Sequence, residues 1–339
     1  MPTTDLPAWL KATWSRNYIR RAAADSREFG EPDRSVRVRY IQTLADGHSF
    51  DLRIPDGFQV QNSIRSVHEM NIHQLRTFAE AGVEAFAGVT TAELAGNDTT
   101  VRWHYAFTFP PSLDSADEPM ALFDLIRSGK HETKDVGRAV PSLPPTRGKP
   151  VVHWYEHAPD GSYEEEWVMF EEFFSRGAHL AAVRPARSGV GACWLGILGN
   201  TFGFVRDIDR SALPDNVRNR PVAEILADEA IPLTVKRTAL DCEFSFGKFG
   251  QGGGVGGVVE LSSLPWRVGI ALATLLDGDE ASPDAPPWEP VRAADAGAMH
   301  QAIAAIKSDH EKACRQLRDA EESGNTGVAD LMKARGAVA

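Results

Sequence analysis

Apolar and polar residues alternate through the stretch from Tyr40 to Pro55, YIQTLADGHSFDLRIP. Its two halves meet at Asp46-Gly47, a dipeptide that tolerates the positive φ values of a tight type I′ turn. A similar unit, WLGILGNTFGFVRD, spans Trp194 to Asp207, and Trp194 follows Tyr40 by 154 positions (194 − 40). The sequence therefore predicts two related β-hairpins and an internal duplication of a β-rich unit.

Further elements surround the first hairpin. Leu6–Arg21 is predicted to be a first strand that follows a short helical turn, and Met120–Ile126 a later strand. A helix is predicted after Asn71, a residue suited to the N-cap, because apolar residues then recur at helical spacing before Gly82. Thr99–Phe109 has the strongest alternation in the chain. Five of its side chains are predicted to share one face: Val101, Trp103, Tyr105, Phe107 and Phe109.

The second half repeats this order. Trp167 follows Trp14 by 153 positions (167 − 14), and Pro265 follows Pro111 by 154 (265 − 111). Around the second hairpin, strands are predicted at 178–183, 234–246 and 255–261, and a short helix at 221–230. Apolar residues at helical spacing then predict a long amphipathic helix from Ala293 to Glu322.

Many short alternating strands, with one helix in each unit, favour antiparallel barrels over a parallel α/β sheet. The expected fold class is mainly β, with two tandem antiparallel β-barrels, short helices and a C-terminal α-helical tail. The expected domains are a first barrel (8–157), a second barrel (161–276), a linker (277–292) and the helical tail (293–339). A barrel of about eight strands encloses side chains or one small ligand.

Composition narrows the function classes. The chain has 339 residues, 42% of them hydrophobic, which is enough to build two domains around apolar cores. A net charge of −11 disfavours a nucleic-acid or membrane-surface binder, since both need clustered positive charge. Three dispersed cysteines are typical of reduced thiols, and the N-terminus lacks the apolar core of a signal peptide. We therefore expect a soluble, cytoplasmic protein.

Short motifs resemble a lipocalin-like (calycin) family, which includes bacterial proteins and a fungal two-barrel protein without an assigned activity. They are WSRNYI at Trp14, YIQT at Tyr40, FDLRIP at Phe50, FAG at Phe86, VRWHY at Val101 and SLPWR at Ser263. The resemblance covers about residues 8–275. It implies two fused barrels and a cavity for a small apolar or aromatic molecule, and it carries no catalytic residue across. The second half lacks the Arg-Ile-Pro ending of the first hairpin, so one cavity is expected to be filled or closed.

The polar residues of the first barrel supply the candidate site. Arg39 and Arg53 lie on the paired strands of the opening hairpin, with Gln42 nearby; an arginine there can bind a carboxylate or an enolate-like oxygen, or pair with a carboxylate of the chain such as Asp51. Three further candidates are consecutive in the aromatic strand: Trp103, His104 and Tyr105. If the aromatic rings point into the barrel, His104 lies on the outer surface; if they pack outward, His104 faces the cavity, where an imidazole suits acid–base chemistry. His104 and Arg39 are the catalytic candidates, and all six residues are candidates for ligand binding.

Two other motifs give no site. Gly252–Gly257 lacks the Gly-Lys-Ser/Thr ending and the following helix of a phosphate-binding loop. His153 and His157 are separated by about 13 Å on a strand, too far for one metal ion to bridge. No metal and no cofactor is predicted.

Three functions stay open. The first is binding of a small hydrophobic or aromatic molecule, which predicts an apolar, open-mouthed cavity. The second is a cofactor-independent lyase, isomerase or cyclase, which predicts a buried ionisable group with a perturbed pKa in a closed cavity. The third is a protein-interaction module that dimerises through the C-terminal helix, which predicts filled barrels and an exposed apolar stripe on that helix. The sequence alone does not decide whether the protein is an enzyme.

Overall fold

A computed structural model gives the fold of the residues described below. They are residues 6–23, 28–42, 47–95, 98–113, 119–133, 135–142, 151–170, 179–186, 191–250, 256–278 and 287–323. Asp46, the dipeptide Gly96-Asn97, residues 251–255 of the glycine-rich sequence, the linker residues 279–286 and the end of the tail lie outside them. Among the described helices, none combines the length and the apolar composition needed to cross a membrane.

The first half of the chain forms a closed, eight-stranded antiparallel barrel in which each strand pairs with the next and β8 pairs with β1. The strands are β1 (Thr13–Arg21), β2 (Val36–Gln42), β3 (His48–Pro55), β4 (Glu84–Ala95), β5 (Asp98–Phe109), β6 (Val136–Pro141), β7 (His153–His157) and β8 (Tyr163–Met169). The expected mainly β class and first barrel are therefore present. Because β8 closes the barrel, the first barrel extends to residue 169, beyond the boundary expected at 157.

The second half forms a six-stranded sheet in the order β13-β12-β11-β10-β9-β14. Its strands are β9 (His179–Arg184), β10 (Cys193–Leu198), β11 (Thr201–Arg206), β12 (Glu243–Lys248), β13 (Val258–Ser262) and β14 (Glu289–Pro290). The edge strands β13 and β14 do not pair with each other in the part of the chain that the structure describes. A second closed barrel is therefore not confirmed.

The two hairpins pair in the same register. Tyr40 lies opposite Asp51 in the first hairpin, and Trp194 lies opposite Val205 in the second, 154 positions later in both strands (194 − 40 and 205 − 51). The proposed match of Trp167 with Trp14 is wrong, since Trp167 belongs to β8 and pairs with β1 inside the first barrel. The strand that precedes the second hairpin and pairs with it is β9.

The helices are short except for the last one. They are α1 (Ile72–Ala79), α2 (Pro119–Arg127), α3 (Val222–Ala227), α4 (Leu233–Thr238), α5 (Leu272–Gly278) and α6 (Ala296–Glu322), with single 3-10 turns at Ala8–Leu10, Val67–Glu69, Arg210–Ala212, Pro265–Arg267 and Ala293–Asp295. Asn71 caps α1 as predicted: its side chain accepts from the backbone N–H of Gln74, whose side chain accepts in return from the backbone of Asn71. The tail helix is confirmed as α6.

Two strand predictions are wrong. The segment predicted as a strand at Met120–Ile126 is helix α2, which starts at Pro119, a residue suited to the first helical position. Its buried Phe123 and Ile126 are three residues apart and share one face of the helix. In the predicted strand 234–246, the first part is helix α4 and only the last part belongs to β12.

One end of the barrel interior is filled by tryptophans. Trp154 and Trp167 stack with ring centroids 5.5 Å apart, and Trp14 meets Trp154 edge-on at 6.0 Å. The N-terminal turn covers this end, because Leu10 packs in the same cluster and its carbonyl accepts from the indole N–H of Trp14 at 2.9 Å. The free space of the barrel is therefore displaced toward the other end, where β1 finishes.

The second sheet is buried on both faces. Trp194 and Phe244 face the outer wall of the barrel and pack with Phe50, whose ring stacks on Trp194 with centroids 5.9 Å apart. On the other face, Leu195 and Phe204 pack against α5 and α6. The molecule thus has three layers: barrel, sheet and helices. Burial on both faces explains why the second hairpin reads as a nearly continuous apolar run.

We expect that Phe50→Ala weakens the packing between the barrel and the second sheet. Phe50 is fully buried, and its removal leaves a cavity beside Trp194, so the free energy of unfolding should fall by about 3–5 kcal/mol. Leu94→Ala is the control, because Leu94 is 62% exposed and its truncation should change the free energy by less than about 0.5 kcal/mol. Urea unfolding of the three proteins measures both values. An equal effect of the two substitutions would contradict the packing described here.

Candidate functional site

The barrel interior holds a cavity of about 300 Å³. Its wall is rich in aromatic rings, contributed by Tyr40, Phe86, Trp103, Tyr105, Trp154 and Trp167. Arg21 also lines it at the end of β1, and the side chain of Arg21 is 67% exposed, which places the mouth of the cavity there. The volume lies at the lower end of the range typical of small-molecule pockets.

A bulge in β5 determines which aromatic residues enter this cavity. Ala87 pairs with Phe107 but the next residue, Gly88, pairs with Tyr105, so Ala106 is the extra residue of β5. Trp103 and Tyr105 consequently point inward, whereas Phe107 packs outside the barrel against Phe123. The prediction that five alternating residues of this strand share one face is therefore wrong, because the bulge reverses the alternation.

Four carboxyl groups line the cavity: Asp51, Asp135, Glu156 and Glu165. Two of them pair with arginines. Arg53 donates from Nε and Nη2 to Asp51 Oδ2 at 2.9 and 2.7 Å, and Arg16 donates from Nη1 to Glu165 Oε1 at 2.5 Å. The other two accept from tyrosines, Asp135 from Tyr105 and Glu156 from Tyr163, the latter at 2.8 Å.

Glu156 has the most informative electrostatic environment. It is 5% exposed, and it lies opposite Glu165 in the pairing of β7 with β8. Burial, and then the charge of Glu165, raise the pKa of Glu156 to about 8, although the hydroxyl of Tyr163 and the charge of Arg53 act against the shift. Burial also raises the pKa of Asp135. At neutral pH, Glu156 therefore holds a proton inside the barrel.

Several buried polar atoms of the lining residues have no hydrogen-bond partner within the described part of the chain. The carboxylate oxygens are Asp51 Oδ1 and Glu165 Oε2, and the indole donors are Nε1 of Trp154 and of Trp167. A buried polar group without a partner costs about 1–3 kcal/mol, and such groups are rare in folded proteins. A molecule in the cavity could satisfy them with its own donors and acceptors.

Three of the six predicted site residues line the cavity: Arg53, Trp103 and Tyr105. Gln42 lies beside it, fully buried, and its Oε1 accepts from the hydroxyl of Tyr40 at 2.5 Å. Gln42 also donates to the backbone carbonyl of Gly47 at 3.0 Å, so it joins the hairpin turn to the wall of the cavity.

Arg39 and His104 lie outside the cavity. Arg39 donates to Ser15 Oγ at 2.9 Å and covers the ring of Phe170, between the barrel and the second sheet. His104 is on the outer face of β5, as expected if the aromatic rings point inward, and its ring contacts His131 at 3.0 Å between the Nδ1 atoms. Burial and the neighbouring His131 lower the pKa of His104 to about 4, which keeps the imidazole neutral.

The acidic residues of the cavity were missed as a site by sequence reasoning. The run EEEWVMFEE reads as a solvated face, but in β8 Glu165 is in phase with Trp167 and points inward, whereas Glu164 and Glu166 point outward toward His157 and His153. Glu156 is likewise in phase with Trp154 in β7. The signal available in the sequence was an acidic residue two positions from a large aromatic residue, because residues two apart on a strand point to the same face.

Comparisons with known proteins do not define a family. No protein-family profile and no curated protein matches the chain significantly. A similar solved structure is that of an uncharacterised protein from Saccharomyces cerevisiae, with 12% identity over 74% of this chain and 84% of that chain. The TM-score of 0.37 is too low for a functional argument. The fold and cavity therefore define this chain only as a closed antiparallel barrel attached to a second sheet.

We expect that Glu156→Gln changes how stability depends on pH. An acid with a higher pKa in the folded chain binds more protons when folded, so the free energy of unfolding falls as pH rises between the two pKa values. For Glu156 these are 4.5 in its ordinary state and about 8 when folded. The amide keeps an acceptor for Tyr163 but does not titrate, so the variant should lose less stability than the wild type between about pH 5 and pH 8.5, by a few kcal/mol.

Thermal and urea unfolding across this pH range measure the difference. Glu166→Gln is the matched control, since Glu166 is on the same sheet but on the outer face of the barrel. Parallel pH profiles for Glu156→Gln and the wild type would show that Glu156 is ionised at neutral pH.

Proposed function

We propose that this chain is a lipocalin-like protein whose first barrel binds a small molecule with an aromatic or other ring-shaped body. The observation that carries the proposal is the cavity itself: a space of about 300 Å³ in a closed eight-stranded barrel, with aromatic rings on half of its lining residues. Barrels of this size hold one small ligand. The proposal includes the family assignment and a second unit derived from a barrel of the same kind.

The ligand in this proposal has hydrogen-bonding groups as well as a ring. A purely apolar molecule would leave Asp51 Oδ1, Glu165 Oε2 and the two indole donors of Trp154 and Trp167 without partners. A ligand with both a donor and an oxygen acceptor would remove this cost. We therefore narrow the expected hydrophobic or aromatic molecule to one that carries polar groups.

A second candidate function is catalysis without a cofactor, as a lyase, isomerase or cyclase. It is favoured by one observation, the raised pKa of the buried Glu156. A carboxyl with a pKa near neutrality can give a proton to a bound molecule and take one back. Glu156 lies in the wall of the same cavity, so binding and proton transfer would use one site.

The interaction reading has less support. The large apolar residues of α6, Met299, Ile303, Ile306 and Leu317, are at most 8% exposed in the described chain, so they do not form the exposed stripe that dimerisation through this helix would use. A cytoplasmic location stays part of the proposal. It is supported by the three cysteines, Cys193, Cys242 and Cys314, which are free thiols as expected in a reducing compartment.

Binding should depend on the ring of Phe86, which stacks on Tyr105 with centroids 4.4 Å apart. We expect Phe86→Leu to weaken binding of an aromatic ligand about 2- to 10-fold, since an aromatic pair contributes about 0.5–1.5 kcal/mol beyond its buried area. The ligand is first found by native mass spectrometry of the purified protein and by the rise in melting temperature with a panel of ring compounds. Affinities are then measured by quenching of tryptophan fluorescence.

The matched control is Phe29→Leu, which makes the same substitution outside the cavity at a residue that is 38% exposed. It should leave the affinity unchanged. No retained mass and no stabilisation by any compound would overturn the binding function, and equal affinities of the two variants would place the ligand elsewhere.

The catalytic alternative predicts a distinct pH profile. If Glu156 donates a proton, conversion of a bound compound should fall as pH rises above about 8, because the acid form is lost. Glu156→Gln should abolish conversion and keep binding. Product formation, followed by mass spectrometry in the wild type, Glu156→Gln and Glu166→Gln, checks both effects. Conversion by Glu156→Gln at the rate of the wild type would exclude this role.

A further inference from the structure

The cavity has more carboxyl groups than paired guanidinium groups. Arg53 and Arg16 each pair with one carboxyl group, Asp51 and Glu165. Glu156 and Asp135 accept only from tyrosine hydroxyls among the contacts described above. Arg21 at the mouth is turned toward Asp33 and is largely exposed. The described wall of the cavity therefore carries two more carboxyl groups than paired guanidinium groups.

The acceptor atoms of the cavity that lack a donor are both oxygens of negatively charged carboxylates. Asp51 Oδ1 and Glu165 Oε2 belong to side chains that are more than nine-tenths buried, and neither oxygen accepts a hydrogen bond from any residue that the structure describes. Both guanidinium groups donate to the other oxygen of the same carboxylate. Two carboxylate oxygens in a buried, low-dielectric position strongly favour a charged donor, because the attraction to a cation is weakly screened there.

The rings add a second source of affinity for positive charge. The faces of Trp and Tyr attract cations through their quadrupole, and the cavity is lined by Trp103, Trp154, Trp167 and Tyr105. Another ring of the lining, Phe86, already has the guanidinium of Arg53 over it, 5.5 Å from the ring centroid. Walls that combine aromatic faces with carboxylates recognise organic ammonium groups, whereas an anion would meet repulsion from the carboxylates. An ammonium group also has three donors, which fit Asp51 Oδ1 and Glu165 Oε2, and an oxygen acceptor elsewhere on the ligand would pair with the indole N–H groups of Trp154 and Trp167.

We propose that the ligand of the barrel is a small organic cation, a protonated amine attached to one or two rings. This inference rests on the proposed binding function and names the chemical class of its ligand. The ammonium group lies between Asp51 and Glu165, and the ring packs on the aromatic wall. The site does not bind an anion of the same shape.

A consequence is proton release on binding. The groups that face Glu156 are Tyr163 and Glu165 from β8, Arg53 from β3, Asp135 before β6 and Asp51 beyond Arg53. A cation among these carboxyl groups favours their ionised forms, so the pKa of Glu156 falls when the amine binds. Near neutral pH the protein then loses part of a proton, and the affinity for the amine rises as the pH approaches 8.

The test compares compounds that differ in charge alone. Phenethylamine, 2-phenylethanol and 3-phenylpropionate have the same ring and nearly the same length, and tryptamine, its alcohol and its acid form a second series. Calorimetric titration of the unmodified protein at pH 7.5 should give an affinity for each amine at least tenfold higher than for the alcohol, with the acid weakest. Any molecule retained through purification is identified by its mass and should contain a basic nitrogen.

Proton release on binding separates a role in binding from a structural role, because carboxyl groups that only stabilise the fold would not lose a proton when the amine binds. Calorimetry in two buffers of different ionisation enthalpy should show release with each amine in the wild type and in Glu166→Gln. The release should be smaller in Glu156→Gln. This variant should fold, because the substitution does not remove the carboxylate partner of an arginine. Equal release in Glu156→Gln and the wild type would overturn the assignment of Glu156.

The outcomes separate the two proposals. Equal or tighter binding of the alcohol or the acid, or a retained molecule without a basic nitrogen, overturns the cationic ligand and leaves the binding function standing. Failure of every compound, together with no retained mass, overturns both. Amine preference with proton release supports both.

Discussion

Pairing of β1 with β8 is the interaction on which the candidate site depends. It runs from Trp14 opposite Met169 to Arg21 opposite Tyr163 and turns an open sheet into a closed barrel. Closure removes water from one face of every strand, so whatever the sequence places there is buried together. The same pairing brings Arg16 beside Glu165 and orders β7 and β8, which hold Glu156 opposite Glu165. The low dielectric inside follows from closure, and the raised pKa of Glu156 follows from the low dielectric.

The two hairpins have the same register but different surroundings. The register is identical, but Val205 stands where the first unit has Asp51, and Trp194 stands where it has Tyr40. In the second unit this face packs on the barrel wall, with the ring of Phe50 so close to Gly203 that an added Cβ would lie 2.9 Å from Phe50 Cγ. The first unit keeps the equivalent face for a cavity. One hairpin is part of the cavity wall and the other packs against the outside of that wall.

The sequence predicted the container better than the site. The hairpins, the cap of α1 at Asn71 and the tail helix follow from local patterns, which the fold leaves unchanged. Which residues point into the barrel does not follow from local patterns, because the bulge at Ala106 reverses the alternation of β5 and depends on pairing with Gly88. Glu165 looked solvated because its neighbours Glu164 and Glu166 are acidic; only closure with β1 makes its face interior. Long-range pairing, which no local pattern encodes, thus decided which polar residues formed the site.

The buried ion pairs of the cavity are weak evidence that its polar groups stabilise the fold. Replacing a buried ion pair with apolar residues is often neutral or stabilising. The second unit contains that apolar solution at the equivalent position, where Val205 is fully buried in the core. Asp51 instead brings a buried carboxylate into the first unit, requires Arg53 as a partner and leaves one oxygen without a donor. The two hairpins thus share one register, and only the first buries a carboxylate whose second oxygen has no donor in the described part of the chain.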